Sequence, residues 1–130
     1  TDMIQQAYKS SDPLLCSSAL YAMGRTGDST WVPIIIREMD NRNPAMRYEA
    51  ASASAEIMDE DAVPYLIPLI QDEDHQVQIS AIRALGFIGG SLAKKAVLEC
   101  INENNNALHE AAEQALYQMD MENDLVGFNY

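Results

Sequence analysis

What most constrains this chain is that it repeats itself every 31 residues. Four turn-forming sites, Asp12-Pro13, Asn43-Pro44, Asp74-His75 and Asn105-Asn106, stand 31 positions apart. A fixed period of this length marks stacked supersecondary units. Columns of apolar and small residues keep the same period. Leu15, Met46, Val77 and Leu108 align, as do Ala19, Ala50, Ala81 and Ala112, and Ala22, Ala53, Ala84 and Ala115. Met23, Ser54, Leu85 and Leu116 form another column, and Thr26, Ile57, Ile88 and Met119 a further one. Gly24, Ala55 and Gly86 keep one column small, which lets helices approach closely.

The second half of each unit repeats too. Val32 matches Val63; Ile35, Leu66 and Val97 align, then Ile36, Ile67 and Leu98, then Met39, Ile70 and Ile101. Ile4 falls under Ile35 and Tyr8 under Met39. One domain, 1–130, therefore holds the end of a unit (1–11), three whole units (12–42, 43–73 and 74–104), and a last first helix with its tail (105–130). Apolar residues fall at offsets 0, 4, 7, 8 and 11 from Leu15, Met46 or Val77, and at 0, 3, 4 and 7 from Val32 or Val63. Both are helical stripes rather than strand alternation. Asp or Asn precedes each first helix as an N-cap, Gly27, Gly89 and Gly90 lie where it must stop, and Pro33 and Pro64 sit near the start of the second helix. One hairpin cannot bury its own apolar faces, so neighbours must stack. The expected fold is all-α: a right-handed α–α superhelix of antiparallel helix pairs.

Eight basic against 20 acidic residues give a net charge of −12. Such a surface repels phosphate backbones and anionic lipid, which argues against nucleic acid and membranes as partners and favours a protein with basic segments. The sequence has no apolar run of about 18 residues and no signal-peptide pattern. Cys16 and Cys100 make no disulfide framework. A cytoplasmic location is the default expectation. The chain opens inside a unit, with nothing resembling a cap, so further repeats upstream in a longer protein are expected.

These residues resemble HEAT repeats of the PBS-lyase HEAT-like type. The resemblance rests on Asn43-Pro44-Ala45-Met46-Arg47 and Glu49-Ala50-Ala51 at the opening, on Ala81, Ala84-Leu85-Gly86 and Ile88-Gly89 in the middle, and on Ala62-Val63-Pro64, Leu66-Ile67 and Leu69-Ile70 at the close. It implies an armadillo-like solenoid, and it covers nearly the whole chain. The family pattern also has an Arg after the first core residue of each unit, which by resemblance ties units together through an acidic loop residue. Only Arg47 keeps it; Cys16, Gln78 and His109 stand there instead. A regular Arg–Asp ladder is therefore not expected.

Side chains that carry chemistry are sparse. Helical HEAT-like hydroxylases bind two irons with several His-Glu pairs, but here His109-Glu110 is the one such pair, and the 31-residue register sets Glu110 under Tyr48 rather than Glu49. A dinuclear site needs more converging ligands. His75 reads as a turn residue. Cys100 reads as a small core hydrophobe, and Cys16 has no histidine close in sequence to activate it. The acidic runs at 59–61 and 72–74 lack calcium-loop spacing, and the glycines lack the lysine of a phosphate loop. No catalytic residue, metal or cofactor is expected, and the chain is not read as an enzyme.

In a solenoid of this kind the second helices are expected to line the concave side. Opposite their apolar stripe lie three columns: Met3, Ile34, Tyr65 and Ala96; Gln6, Arg37, Pro68 and Glu99; Ser10, Asn41, Asp72 and Glu103. Apolar and aromatic residues ringed by polar ones are what interfaces use as anchors. The candidate contact set is Trp31, Ile34, Arg37, Tyr65, Pro68, Asp72, Glu99 and Glu103. The competing reading is that curvature buries the first column against its own neighbours. Tyr21, Tyr48 and Arg83 read as a mixed convex surface. Glu110, Glu113 and Gln114 give the last helix a polar outer face, and the apolar residues of 120–130 (Leu125, Val126, Phe128 and Tyr130) are expected to fold back over the end. The expected function is a protein-binding or scaffold module. The alternatives are a bilin-lyase-like or other HEAT-repeat enzyme component, which the resemblance implies, and a structural spacer in a larger protein.

Overall fold

The computed structural model describes residues 2–102 and 106–128, with side chains as far as Met121. Among these residues the chain forms eight α-helices and no strand: α1 (Asp2–Tyr8), α2 (Pro13–Thr26), α3 (Val32–Glu38), α4 (Pro44–Ile57), α5 (Val63–Leu66), α6 (His75–Ile88), α7 (Ser91–Ile101) and α8 (Asn106–Phe128). Helices α2, α4, α6 and α8 are the first helices of successive units; α1, α3, α5 and α7 are second helices.

The repeat dictates where helices start. Asp12, Asn43 and Asp74 are extended, and each side chain accepts the amide two residues on, at 2.9, 3.0 and 2.9 Å. Asp28 and Asp59 do the same for the 3-10 turns that lead into α3 and α5. Each such cap satisfies an amide that the helix itself cannot, worth about 1 kcal/mol. The stops also keep the period. Gly27, Met58 and Gly89 all have positive φ, at 66°, 59° and 75°. The fourth position in that column is Asp120, inside α8. With no left-handed residue there, α8 does not stop and runs on to Phe128. The expected fold-back of the tail is thus replaced by a continued helix; the side chains of Leu125, Val126, Phe128 and Tyr130 lie outside the described residues.

The core lies between the two helix layers. Ala19, Ala50, Ala81 and Ala112 are fully buried, as are Leu20, Met23, Ala51, Ile82 and Leu85. First helices meet almost backbone to backbone. A Cβ placed on Gly24 would lie 2.7 Å from the Ala53 Cα, and one on Gly86 would lie 2.8 Å from the Ala115 Cα. Helices α2, α4, α6 and α8 thus form one continuous layer. Each second helix packs on the first helix that follows it, and second helices touch one another only slightly. The first helices are thus packed more closely on one another than the second helices are.

The inward face of the second helices also differs from the expected stripe. Trp31, Ala62 and Ala93, one 31-residue column, are buried, while Ile36 and Ile67 are half-buried and Leu98 is exposed. In the first two units a 3-10 turn precedes the helix, and its tighter winding swings this column inward. In the second unit Pro68 cannot donate to the Pro64 carbonyl. The chain continues as a 3-10 helix from Ile67 to Gln71, and a three-residue period carries Val63, Leu66 and Leu69 into the core.

Candidate partner-binding surface

The structure disperses the residues expected to form one face. Trp31 is 6% exposed and belongs to the core. The Asp72 carboxylate is nearly buried and accepts from Arg47 Nε and Nη2 at 2.8 and 3.0 Å, so it is spent inside the fold. Ile34 is half-buried against the core. Arg37 is exposed but lies 5.6 Å above the Tyr8 ring and donates to its hydroxyl at 2.5 Å, while that hydroxyl donates to Glu38. Pro68 and Glu99 are exposed, and Glu103 lies outside the described residues. Tyr65, 52% exposed, borders an open cleft of about 710 Å³ with Val32, Pro33, Ile36, Pro64 and the acidic Asp59, Glu60 and Asp61.

The column in which the Arg was expected to be lost proves chemically consistent. Every member meets backbone carbonyls at the end of the preceding second helix. Cys16 Sγ donates to Ser10 O at 3.0 Å, Arg47 Nη1 to Asn41 O at 2.8 Å, Gln78 Nε2 to Ile70 O at 2.7 Å, and His109 Nδ1 lies 3.0 Å from Ile101 O. A helix end leaves such carbonyls without partners, so four different donors do one job. The Arg47–Asp72 pair adds charge to it. The bonds from Asp72 hold the Arg47 guanidinium above its usual pKa. Burial alone would raise the Asp72 carboxyl, but the bonds from Arg47 and from the Asp74 amide outweigh it and hold that carboxyl below the usual range. His109 Nε2 sits 2.8 Å from Glu113 Oε1. Among the described residues no three His, Cys, Asp or Glu side chains gather as a metal site.

A second groove runs along the first helices. It holds about 340 Å³ between α4 and α6, lined by Tyr48, Ser52, Ala55 and Glu56 on one side and Ser80, Arg83 and Phe87 on the other. A recess of about 200 Å³ lined by Arg83, Phe87, Gln114, Ala115 and Gln118 extends it to α8. A smaller one of about 50 Å³, with Tyr21, Glu49, Ser52, Ala53 and Glu56, extends it to α2. The lining obeys the repeat: Tyr21, Ser52, Arg83 and Gln114 are one column, and Arg25, Glu56, Phe87 and Gln118 another. Residues four apart share a helix face, so the two columns run side by side across the stack. Sequence reasoning noticed Tyr21, Tyr48 and Arg83 but read them as a mixed convex surface and not as a groove. The usable signal was the pairing of these two columns.

Inside the groove Ser52 and Ser80 hydroxyls lie 3.0 Å apart, and Ser80 Oγ donates to Tyr48 O at 3.3 Å. Burial pushes the Glu49 carboxyl above the usual carboxylate range. Among the described residues Glu49 has no ion pair or hydrogen bond. Glu56 meets Arg25 at 3.6 Å with both side chains largely in water, an arrangement worth little.

A profile of HEAT repeats matches residues 1–70 and again 35–117. The chain belongs to the HEAT-repeat family. No curated protein sequence matches it significantly. Among solved structures, human deoxyhypusine hydroxylase in complex with glycerol superposes with a TM-score of 0.80 at 20% identity, over 92% of this chain and 43% of that one. The complex of CpcE and CpcF of phycocyanin lyase from Nostoc sp. PCC7120 gives a TM-score of 0.64 at 18% identity, over 90% and 63%. This HEAT-repeat chain thus spans less than two thirds of either protein. At such identities the likeness is one of fold. Among the described residues no helix is long and apolar enough to cross a membrane.

Proposed function

We propose that this HEAT-repeat module is a protein-binding scaffold that holds an extended segment of its partner in the first-helix groove. The observation that carries the reading is a groove whose lining runs in register across four helices, with the half-buried Glu49 carboxylate, which has no ion pair among the described residues, in its wall. A Lys or Arg of the partner gives Glu49 the positive charge it lacks, and Glu56, paired to Arg25 only in water, lies beside it. Tyr48 and Phe87 supply apolar contact, and Ser52 and Arg83 can hydrogen-bond to a peptide backbone. The net charge of −12 draws basic segments in from a distance.

Selection of a random displayed peptide library on the whole chain tests this. Enriched peptides should carry basic residues beside apolar ones. They should bind at least tenfold more weakly to a Glu49→Gln, Glu56→Gln variant and to Phe87→Ala, with Tyr65→Asp unaffected. Peptides lost on Tyr65→Asp and indifferent to the groove variants would move the site to the other layer. That second reading is favoured by the acidic rim of Asp59, Glu60 and Asp61 around the cleft at Tyr65.

A further inference from the structure

The first-helix groove changes charge along its length. Toward α2 its wall carries Glu49 and Glu56. On α6 the wall carries Arg83, which borders both the groove of about 340 Å³ and the recess of about 200 Å³ beside it. Between these poles lie Tyr48, Ser52 and Phe87. Beyond Arg83 the recess is lined by the uncharged Gln114 and Gln118.

Arg83 differs from the arginines that the fold uses for itself. Arg25, Arg37 and Arg47 each meet a carboxylate, at 3.6, 3.9 and 2.8 Å. Exposed Arg83 meets none among the described residues, in a chain with 20 acidic side chains against 8 basic ones. Its own helix cannot supply one, since α6 contains no Asp or Glu. Glu56 faces the same groove but is paired with Arg25. A guanidinium is always charged and presents its N–H donors as a planar fork that matches a carboxylate with two parallel bonds. A peptide carbonyl uses only part of that fork.

We infer, on the reading of the groove proposed above, that the segment it holds is bipolar: it brings a Lys or Arg to Glu49 and, two or four positions away, an Asp or Glu side chain to Arg83. The interval follows from backbone geometry. Glu49 and Arg83 stand on successive first helices, and packed helices run about 8–10 Å apart. An extended segment advances about 3.3 Å per residue and turns alternate side chains to opposite sides. An even interval, spanning about 7 or 13 Å, therefore brings both charges to the same wall, and an odd one turns one of them away. The acid is a side chain rather than the terminal carboxylate of the segment, because the recess continues past Arg83 to α8 and leaves the segment room to run on. The net charge of the chain does not oppose this pairing at contact range, since exposed charges are screened beyond about 8 Å at physiological salt.

The test is a swap of preference. Peptides selected on the whole chain from a displayed random library should pair a basic with an acidic residue at an interval of two or four. Arg83→Glu should weaken these peptides at least tenfold. The same peptides resynthesised with that acid replaced by Lys should bind the Arg83→Glu variant at least tenfold better than the originals do, and the unchanged chain at least tenfold worse. Damage to the fold cannot produce such a reversal. Peptides that depend on Glu49 and Glu56 but carry no acid at an even interval, and that bind Arg83→Glu undiminished, would overturn the inference and leave the groove reading in place. Peptides indifferent to Glu49, Glu56 and Phe87 would overturn both.

Discussion

The two layers of this solenoid are built to different standards. First helices α2, α4 and α6 each run 14 residues, are capped alike and touch through glycine and alanine. Second helices vary: α3 has seven residues, α5 four before it tightens to 3-10, and α7 eleven. The first layer carries the spacing of the stack and its groove; the second closes the core and absorbs irregularity. A close-packed layer of small residues leaves no slack, because interiors pack like crystals.

The largest expected effect tests that difference. Gly86→Leu forces a side chain into the Ala115 backbone and should cost about 3 kcal/mol of unfolding free energy. Pro68→Ala in the second layer should change stability by less than about 1 kcal/mol, since it restores an N–H donor where Pro has already shortened the helix. Denaturant titration of both variants measures the gap; equal losses would erase the distinction between layers.

Next comes the seam between layers. Removing Arg47 with alanine strands a nearly buried Asp72 and should cost about 2–3 kcal/mol at neutral pH. The sign with pH follows from Asp72. Its folded pKa is depressed, so the pair stabilises fully above the ordinary carboxylate value of about 4 and loses that contribution as pH falls through the folded pKa. The gap between wild type and Arg47→Ala should therefore narrow as acid is added below about pH 4. Glu49 has the opposite sign. Its raised pKa makes its charged form unfavourable in the fold above that value, so Glu49→Gln should slightly stabilise at neutral pH and the gain should fade on acidification.

The smallest effect lies in the turn between layers. Met58 holds a left-handed conformation that its column elsewhere gives to Gly27 and Gly89. Met58→Gly should raise stability by about 0.5–1 kcal/mol, the strain relieved being partly offset by backbone entropy. No gain in midpoint would mean that the Met58 side chain holds the turn by contact.

The first layer was legible because its determinants are local and periodic: caps at Asp12, Asn43 and Asp74, and alanine columns at a helical spacing. The second layer was misread by about one residue of rotation, which sent Trp31 outward and Leu98 inward. At Trp31 the cause was physical: 3-10 segments turn 120° per residue rather than 100°, and one apolar stripe does not reveal that; on α7, which follows no 3-10 turn, Ala93, Ala96, Val97 and Cys100 face the core in place of Leu98. The groove along the first helices was not legible for a related reason: it lies where helices approach closely, and only contacts such as Gly24 with Ala53 display that. Asp72 looked like a free surface acid because its partner Arg47 sits 25 positions earlier, beyond any local pattern.

Spin-label distances test the tight first-helix layer most directly. With Cys16→Ser and Cys100→Ala as background, labels at Tyr21→Cys and Arg83→Cys report two first helices two units apart, and labels at Arg37→Cys and Glu99→Cys report the equivalent second helices. All four positions are exposed. The first-helix pair should give clearly the shorter distance. Equal distances, or a shorter one between the second helices, would contradict a first-helix layer spaced more tightly than the second.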